Sequence, residues 1–284
     1  MQSLPYRFYR RTLSAYQRDS TKDATWCRIY ERLIDAAVPV LRGIRHFDFP
    51  ERKTGGWYWI SRWRFEVLMG WYEPESEQWF QKLIRPGSVV LDIGGHLGVH
   101  SRRFSKLVGN TGRVYVFEAN PENHRVLLHN LKARQYRNAE VLHSAVADRD
   151  GTALLHLSPG HSNHSLNSGY TAETGTVEVP CISVDTFCAN RKIDRVDFIK
   201  VDTEGAEPMV LRGMRRTIEA NPSITLLVEH NPAALRAGGV EPDEFLSLLA
   251  SLGLRYDSVS EDGSLGPIAE LTGNQYTNLL CTRA

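Results

Sequence analysis

The chain has 284 residues, with 34 Lys+Arg against 33 Asp+Glu for a formal net charge of +1, and 42% of it is hydrophobic. That length holds one large α/β domain with an N-terminal addition, and the charge balance shows none of the global basic excess of nucleic-acid binders. Four scattered cysteines (Cys27, Cys181, Cys188, Cys281) form no CxxC pair, and no run approaches the ~20 apolar residues of a membrane span; neither a disulfide framework nor a zinc site is expected, and the compartment expected is the cytoplasm.

Residues 1–85 form the expected N-terminal extension, with 15 Lys+Arg against 10 Asp+Glu, leaving 19 against 23 for residues 86–284. Trp26 to Leu41 has helical spacing (Ile29, Leu33, Ala36, Ala37, Val40), and Pro39 is expected to kink or end that helix. This segment reads as a helical cap, or as a lid or a surface for self-association into a homo-oligomer. Residues 51–71 alternate aromatic and polar side chains as a half-exposed strand or hairpin would, and Trp57, Trp59 and Trp63 are candidates to stack on a sugar. Glu75 to Ile84 follows as a short amphipathic helix, closed by the turn Arg85-Pro86-Gly87.

The main domain begins there. Ser88 to Ile93 is a buried strand, Gly94 to Gly98 a tight turn, and a helix then runs to about Val108. Arg113–Phe117 is the second strand, with Glu118 at its exit, and Asn120 caps a helix that Pro121 opens. A third strand covers Asn138–Leu142 and leads to Ser144 and Ala145. Thr152–Leu157 and Thr176–Cys181 read as a hairpin arm, and between them the polar loop Ser158–Gly175 is long enough to be functional. Val196–Val201, Ile224–Val228, Leu254–Ser258 and Gln275–Cys281 are further strands, and helices are expected over Pro208–Ile218 and Glu241–Leu252. Strand–helix alternation at this spacing predicts a mostly parallel, doubly wound α/β sheet.

The turn after the first strand decides the ligand. A phosphate-binding loop needs Gly-Lys-Ser/Thr, which is missing, and a dinucleotide fingerprint needs G-x-G-x-x-G, whereas these glycines fall at 94, 95 and 98. The carboxylate of Asp92 would also meet a pyrophosphate with like charge, so a cationic ligand suits the turn better. What is present is D-x-G-x-x-x-G followed by Glu118, 26 residues after Asp92 and near the ~20 expected for an acid that accepts ribose hydroxyls. That combination fits an adenosyl cofactor carrying a sulfonium.

The fourth strand strengthens this reading. Asp197-Phe-Ile-Lys200-Val-Asp202-Thr-Glu204-Gly205-Ala-Glu207 and Val210-Leu-Arg-Gly213 resemble the FkbM-like family of S-adenosylmethionine-dependent methyltransferases. So do Tyr72-Glu73-Pro74, Leu91-Asp92-Ile-Gly94, Phe117-Glu118-Ala119-Asn120-Pro121-Glu-Asn123, Asn130, Val184-Asp185 and Glu229. The chain departs from the family at Gly95-His96, where Ala-Asn is usual, and at Ala119, where Pro is usual.

The resemblance implies a Rossmann-like class I methyltransferase fold with the hairpin arm inserted, and O-methylation of a hydroxyl on a small acceptor such as a sugar or polyketide. Asp92, Gly94, Gly95, His96, Gly98, Glu118, Ala119, Asn120, Ser144, Ala145 and Asp202 are then the cofactor-binding candidates. A hydroxyl is a poor nucleophile until its proton leaves, so a base is expected at the carboxyl ends of strands four and five. Asp202, Lys200 and His230 are the catalytic candidates, and His164, Glu204 and Glu229 the acceptor-side ones. Asp202, Glu204 and Glu229 would also supply oxygens for a hard cation such as Mg2+. Methylation of nucleic acid and a nucleotide-dependent oxidoreductase are the alternatives; the first lacks a basic cleft and the second lacks its glycine pattern.

Overall fold

The computed structural model describes residues 25–45, 47, 65–132, 136–268 and 276–284. Those up to Pro74 and those of Glu75–Ala284 form two compact units. In the first, a helix spans Thr25–Arg45 and continues through Pro39 to Arg45. The sequence reading had Pro39 bending or stopping it. Residues 65–69 are helical, not extended, and bury the adjacent Val67 and Leu68 as an alternating strand would not. Trp57, Trp59 and Trp63 lie outside the described residues. No helix among the described residues is long and apolar enough to cross a membrane.

The Pro74–Leu83 helix belongs with the second unit, ahead of the boundary expected at 85. Its Phe80 is fully buried in a cluster with Phe104 and Phe198, a burial that contributes about 1.5–3 kcal/mol. Strands β1 (Val89–Ile93), β2 (Arg113–Glu118), β3 (Ala139–His143), β7 (Phe198–Val201), β8 (Thr225–His230), β9 (Leu254–Val259), β10 (Leu265–Gly266) and β11 (Thr277–Arg283) form one eight-stranded sheet. Its order is β10-β9-β11-β8-β7-β1-β2-β3. Strands β3, β2, β1, β7 and β8 are parallel, and β11 runs antiparallel between β8 and β9. Beside it, β4 (Ala145–Val146), β6 (Gly175–Ile182) and β5 (Gly151–Leu157) make a three-stranded sheet that contains the expected arm. The result is the doubly wound, Rossmann-like class I architecture.

Strand order turns back between β1 and β7: the chain proceeds outward through β2 and β3, then returns to β7. An open α/β sheet leaves its ligand crevice at such a point, outside the carboxyl ends of the strands. Two glycines let the backbone close up there. A Cβ on Gly94, whose φ is +83°, would lie 1.8 Å from the Asp202 carbonyl oxygen, and one on Gly95 would lie 2.2 Å from Val116. The turns after β1 and β7 therefore touch.

Four short helices differ from the expectation. Val184–Arg191 is a helix capped by the Ser183 hydroxyl, which accepts from the Thr186 N–H. Pro232–Ala237 is another, capped by the Asn231 side chain. The helix expected over Pro208–Ile218 divides into Glu207–Arg212 and Arg215–Ala220. At the break, Gly213 lies so close to the backbone that a Cβ would sit 2.1 Å from the Ala147 carbonyl oxygen.

Candidate active site

Period-two alternation and the strand register decide which side chains meet. Asp92 pairs in register with Lys200, and Val201 with Val228. Asp92, Lys200 and Glu229 thus share the sheet face of Val90, Phe198 and Leu227, which pack in one apolar cluster. His230 is on the opposite face, with Leu226 and Val228, and its ring lies 6.0 Å from that of Phe245. The His230 side chain therefore projects away from the face that carries Lys200 and Glu229. Its ring is buried and burial lowers its pKa.

The Lys200 ammonium donates to Asp202 Oδ2 at 2.6 Å, with the Lys200 side chain 3% exposed and that of Asp202 27% exposed. An interior cation is thereby neutralised by a carboxylate that also reaches the crevice. Glu204 adopts a left-handed backbone, φ +55°, the kind of strained conformation that functional turns retain. Glu207, which the sequence grouped with these acids, builds the turn instead: it accepts from the N–H and hydroxyl of Thr203 and from the Gly205 N–H, at 2.7, 2.9 and 2.9 Å.

Asp202, Glu204 and Glu229 each present a carboxylate oxygen within 4.8 Å of the others. Glu229 is buried and its Oε2 has no hydrogen-bond partner among the described residues. The donor set is one a hard cation accepts, but Asp202 already spends one oxygen on Lys200.

At the other end of the crevice, Glu118 Oε2 accepts from the His96 N–H at 2.7 Å and Oε1 from the Asn120 N–H at 2.8 Å. The Asn123 side chain also hydrogen-bonds this carboxylate, so a ribose diol would take the remaining lone pair and replace the Asn123 contact. The Asn120 side chain caps the Pro121–Lys132 helix, accepting from the N–H groups of Glu122 and Asn123. The Ala119 carbonyl accepts from His143 Nε2 at 3.0 Å. Ser144 directs its hydroxyl to the carbonyls of Ala145 and Pro180 and its N–H to the Glu118 carbonyl at 3.2 Å.

Asp92, one of the cofactor-binding candidates, has a buried carboxyl that lies in the field of Lys200; Oδ2 accepts from the Ser101 hydroxyl at 2.5 Å, and Oδ1 has no hydrogen-bond partner among the described residues. Asp92 precedes the turn that Gly94, Gly95 and Gly98 form. His164 Nδ1 accepts from the Ser158 N–H, burial lowers its pKa to about 4, and the titratable groups that act on it are Glu122 and His96.

The sequence reading passed over Tyr170 and Asn231. Tyr170 Oη accepts from Asn231 Nδ2 at 2.8 Å, and the same hydroxyl hydrogen-bonds the Glu204 carboxyl. Asn231 was legible as a helix cap before Pro232, but no pattern pairs it with a loop residue 61 positions away.

Burial raises Glu118 and Glu207 to about 7, Glu204 to about 8, and Glu229 well above the ordinary 4.5. Each of these groups holds its proton more tightly folded than unfolded, so stability is lost as pH rises from 4.5 through about 8. Half-buried His96 and His164, lowered from 6.5, act in the opposite sense but only below pH 6.5. The unliganded protein should therefore melt a few degrees lower at pH 8.5 than at pH 6.5. Scanning calorimetry with a flat or rising midpoint over that interval would contradict this charge arrangement.

The chain matches the family described as Methyltransferase FkbM domain over residues 92–256. It is 27% identical over 188 residues to the 2-O-methyltransferase NoeI of Sinorhizobium fredii, covering 61% of this chain and 75% of that protein. It is 24% identical over 190 residues to the hexuronic acid methyltransferase AglP of Haloferax volcanii, covering 66% and 71%. Among solved structures, Methyltransferase FkbM from Methylobacillus flagellatus aligns with a TM-score of 0.45 and 14% identity, covering 89% of this chain and 60% of that one. With more than half of its length matched, this chain belongs to the FkbM family and is an S-adenosylmethionine-dependent methyltransferase.

Proposed function

We propose that the enzyme methylates a hydroxyl of a sugar or a related polyol, with Asp202 taking the hydroxyl proton. The observation that carries this is the Lys200–Asp202 pair, a carboxylate held from behind by a buried ammonium and open to the crevice in front. S-adenosylmethionine, when bound, supplies an electrophilic methyl group on a sulfonium. Glu118 and the backbone of the Gly94–Gly98 turn would hold it, and the tight approach of Gly94 to Asp202 sets the base beside that turn. Glu204 and Glu229 then orient the acceptor through its other hydroxyls, with Tyr170 fixing the Glu204 carboxyl. The hexuronic acid named for AglP supports a carbohydrate over a polyketide.

The test is transfer of a tritiated methyl group to a panel of glycosides, uronic acids, polyketide alcohols and RNA. Label recovered as a methyl ether of a carbohydrate is the expected result. Label confined to RNA or to the polyketides would replace this reading. Because Lys200 already serves Asp202, the transfer should also survive EDTA; its loss with EDTA and recovery with Mg2+ would make Asp202, Glu204 and Glu229 a metal site instead.

A further inference from the structure

The polar loop between β5 and β6 is bound at both ends of the crevice. On the cofactor side, His161 Nδ1 lies 2.8 Å from His96 Nε2, the two rings stack with centroids 4.9 Å apart, and the His161 carbonyl accepts from Asn123 Nδ2 at 2.7 Å. On the acceptor side, the Ser165 hydroxyl donates to the Glu204 carbonyl at 2.7 Å and Asn167 Nδ2 to the Gly205 carbonyl at 2.8 Å. Asn167 also fills the space over Gly238, where a Cβ would lie 2.5 Å from its Nδ2.

His96 is held in the left-handed region, φ +52°, where a β-branched side chain is strained and Asn, Asp or His are the side chains that tolerate it best. Its main chain donates to Glu118 while its ring meets the loop. One residue thus joins the ribose carboxylate to the loop.

We propose that residues 158–175 are a strap across the crevice and that His96 and His161 are positioning residues, a latch that sets how long the cofactor and its demethylated product stay bound. A hydrogen bond between two neutral imidazoles needs one ring to donate and the other to accept, which the half-buried His96, held neutral by desolvation and by its histidine neighbours, allows. Asn in place of His96 keeps the left-handed backbone but is too short to reach His161, so the strap loses its tie to Glu118 while the acceptor-side bonds persist. The strap thereby links release at one end to the acceptor turn at the other.

The test uses full-length protein and S-adenosylhomocysteine, with no acceptor, so its outcome is independent of the sugar reading and of Asp202. His96→Asn and His161→Phe, the latter keeping a ring to stack, should each speed release about 3- to 10-fold in stopped-flow displacement. The double variant should release no faster than either single one, because both remove the same bond. A Glu118→Ala control loses binding through a different group and separates failure of the latch from failure of the ribose site. Unchanged release in both single variants, or effects that multiply in the double, would overturn the latch. A loss of thermal stability without a change in release would make the pair a structural contact only.

Discussion

Asp202→Asn should lower turnover by about 10²–10⁴-fold, the usual contribution of a positioned base, while S-adenosylmethionine still binds. Asn keeps the size of the side chain and one oxygen for Lys200, so the change removes proton affinity rather than shape. The competing cause of a loss is damage to the fold. Lys200 is almost wholly buried, and stripping a buried cation of its partner costs about 3–5 kcal/mol. Here the cost is smaller than that, because Asp92 lies opposite Lys200 in register and its field acts on the same ammonium. The two causes separate experimentally: unfolding takes cofactor binding with it, whereas loss of the base leaves the calorimetric heat of cofactor binding in place. Turnover of Asp202→Asn near the wild-type rate would remove Asp202 from the chemistry and leave Glu229, buried on the same face with an oxygen unpartnered among the described residues, as the next group to test.

The parts of this site that were legible in the sequence are those written in local signals. The glycine turn after β1, the acid closing β2 and the Lys200–Asp202 spacing each depend on a few consecutive residues, and the structure places all three around one crevice. What was not legible depends on pairing. Glu229 and His230 are neighbours in sequence, and only the β8 register against β7 shows that one faces Lys200 and the other Phe245. Asp92 reads locally as the acid at which a strand gives way to glycines. Its burial comes from Ser101 in the next helix and Lys200 in a strand more than 100 residues later. The loop composition advertised function, but its docking rests on His161, Ser165 and Asn167 meeting backbone and rings from three other segments. Propensity also misled at residues 65–69, where aromatic alternation suggested a strand and the burial of two successive apolar residues favoured a helix.

Glu118→Ala should weaken S-adenosylmethionine binding by about 100-fold or more, because two hydrogen bonds to a charged acceptor, at about 1.5–3 kcal/mol each, are lost together. The variant also strands the N–H groups of His96 and Asn120, which Glu118 accepts at 2.7 and 2.8 Å, so both turns beside the ribose site lose their anchor. Glu118→Gln separates these effects. Its amide keeps one acceptor oxygen, but its NH₂ must face one of those two N–H groups, so an intermediate affinity is expected. Proton linkage gives a second readout. Burial raises the Glu118 carboxyl to about 7 in the unliganded protein, and ribose hydroxyls that donate to it favour its ionised form. Cofactor binding should then release a proton near neutral pH, and affinity should rise from pH 6 to pH 8 by at most about tenfold per pH unit for this one group. The release appears as a binding enthalpy that changes with the ionisation enthalpy of the buffer, and Glu118→Ala should abolish that dependence. Wild-type enthalpies that are identical in phosphate and Tris at pH 7 would show that Glu118 is already ionised before the cofactor arrives, and an unchanged affinity in Glu118→Ala would take the ribose away from it altogether.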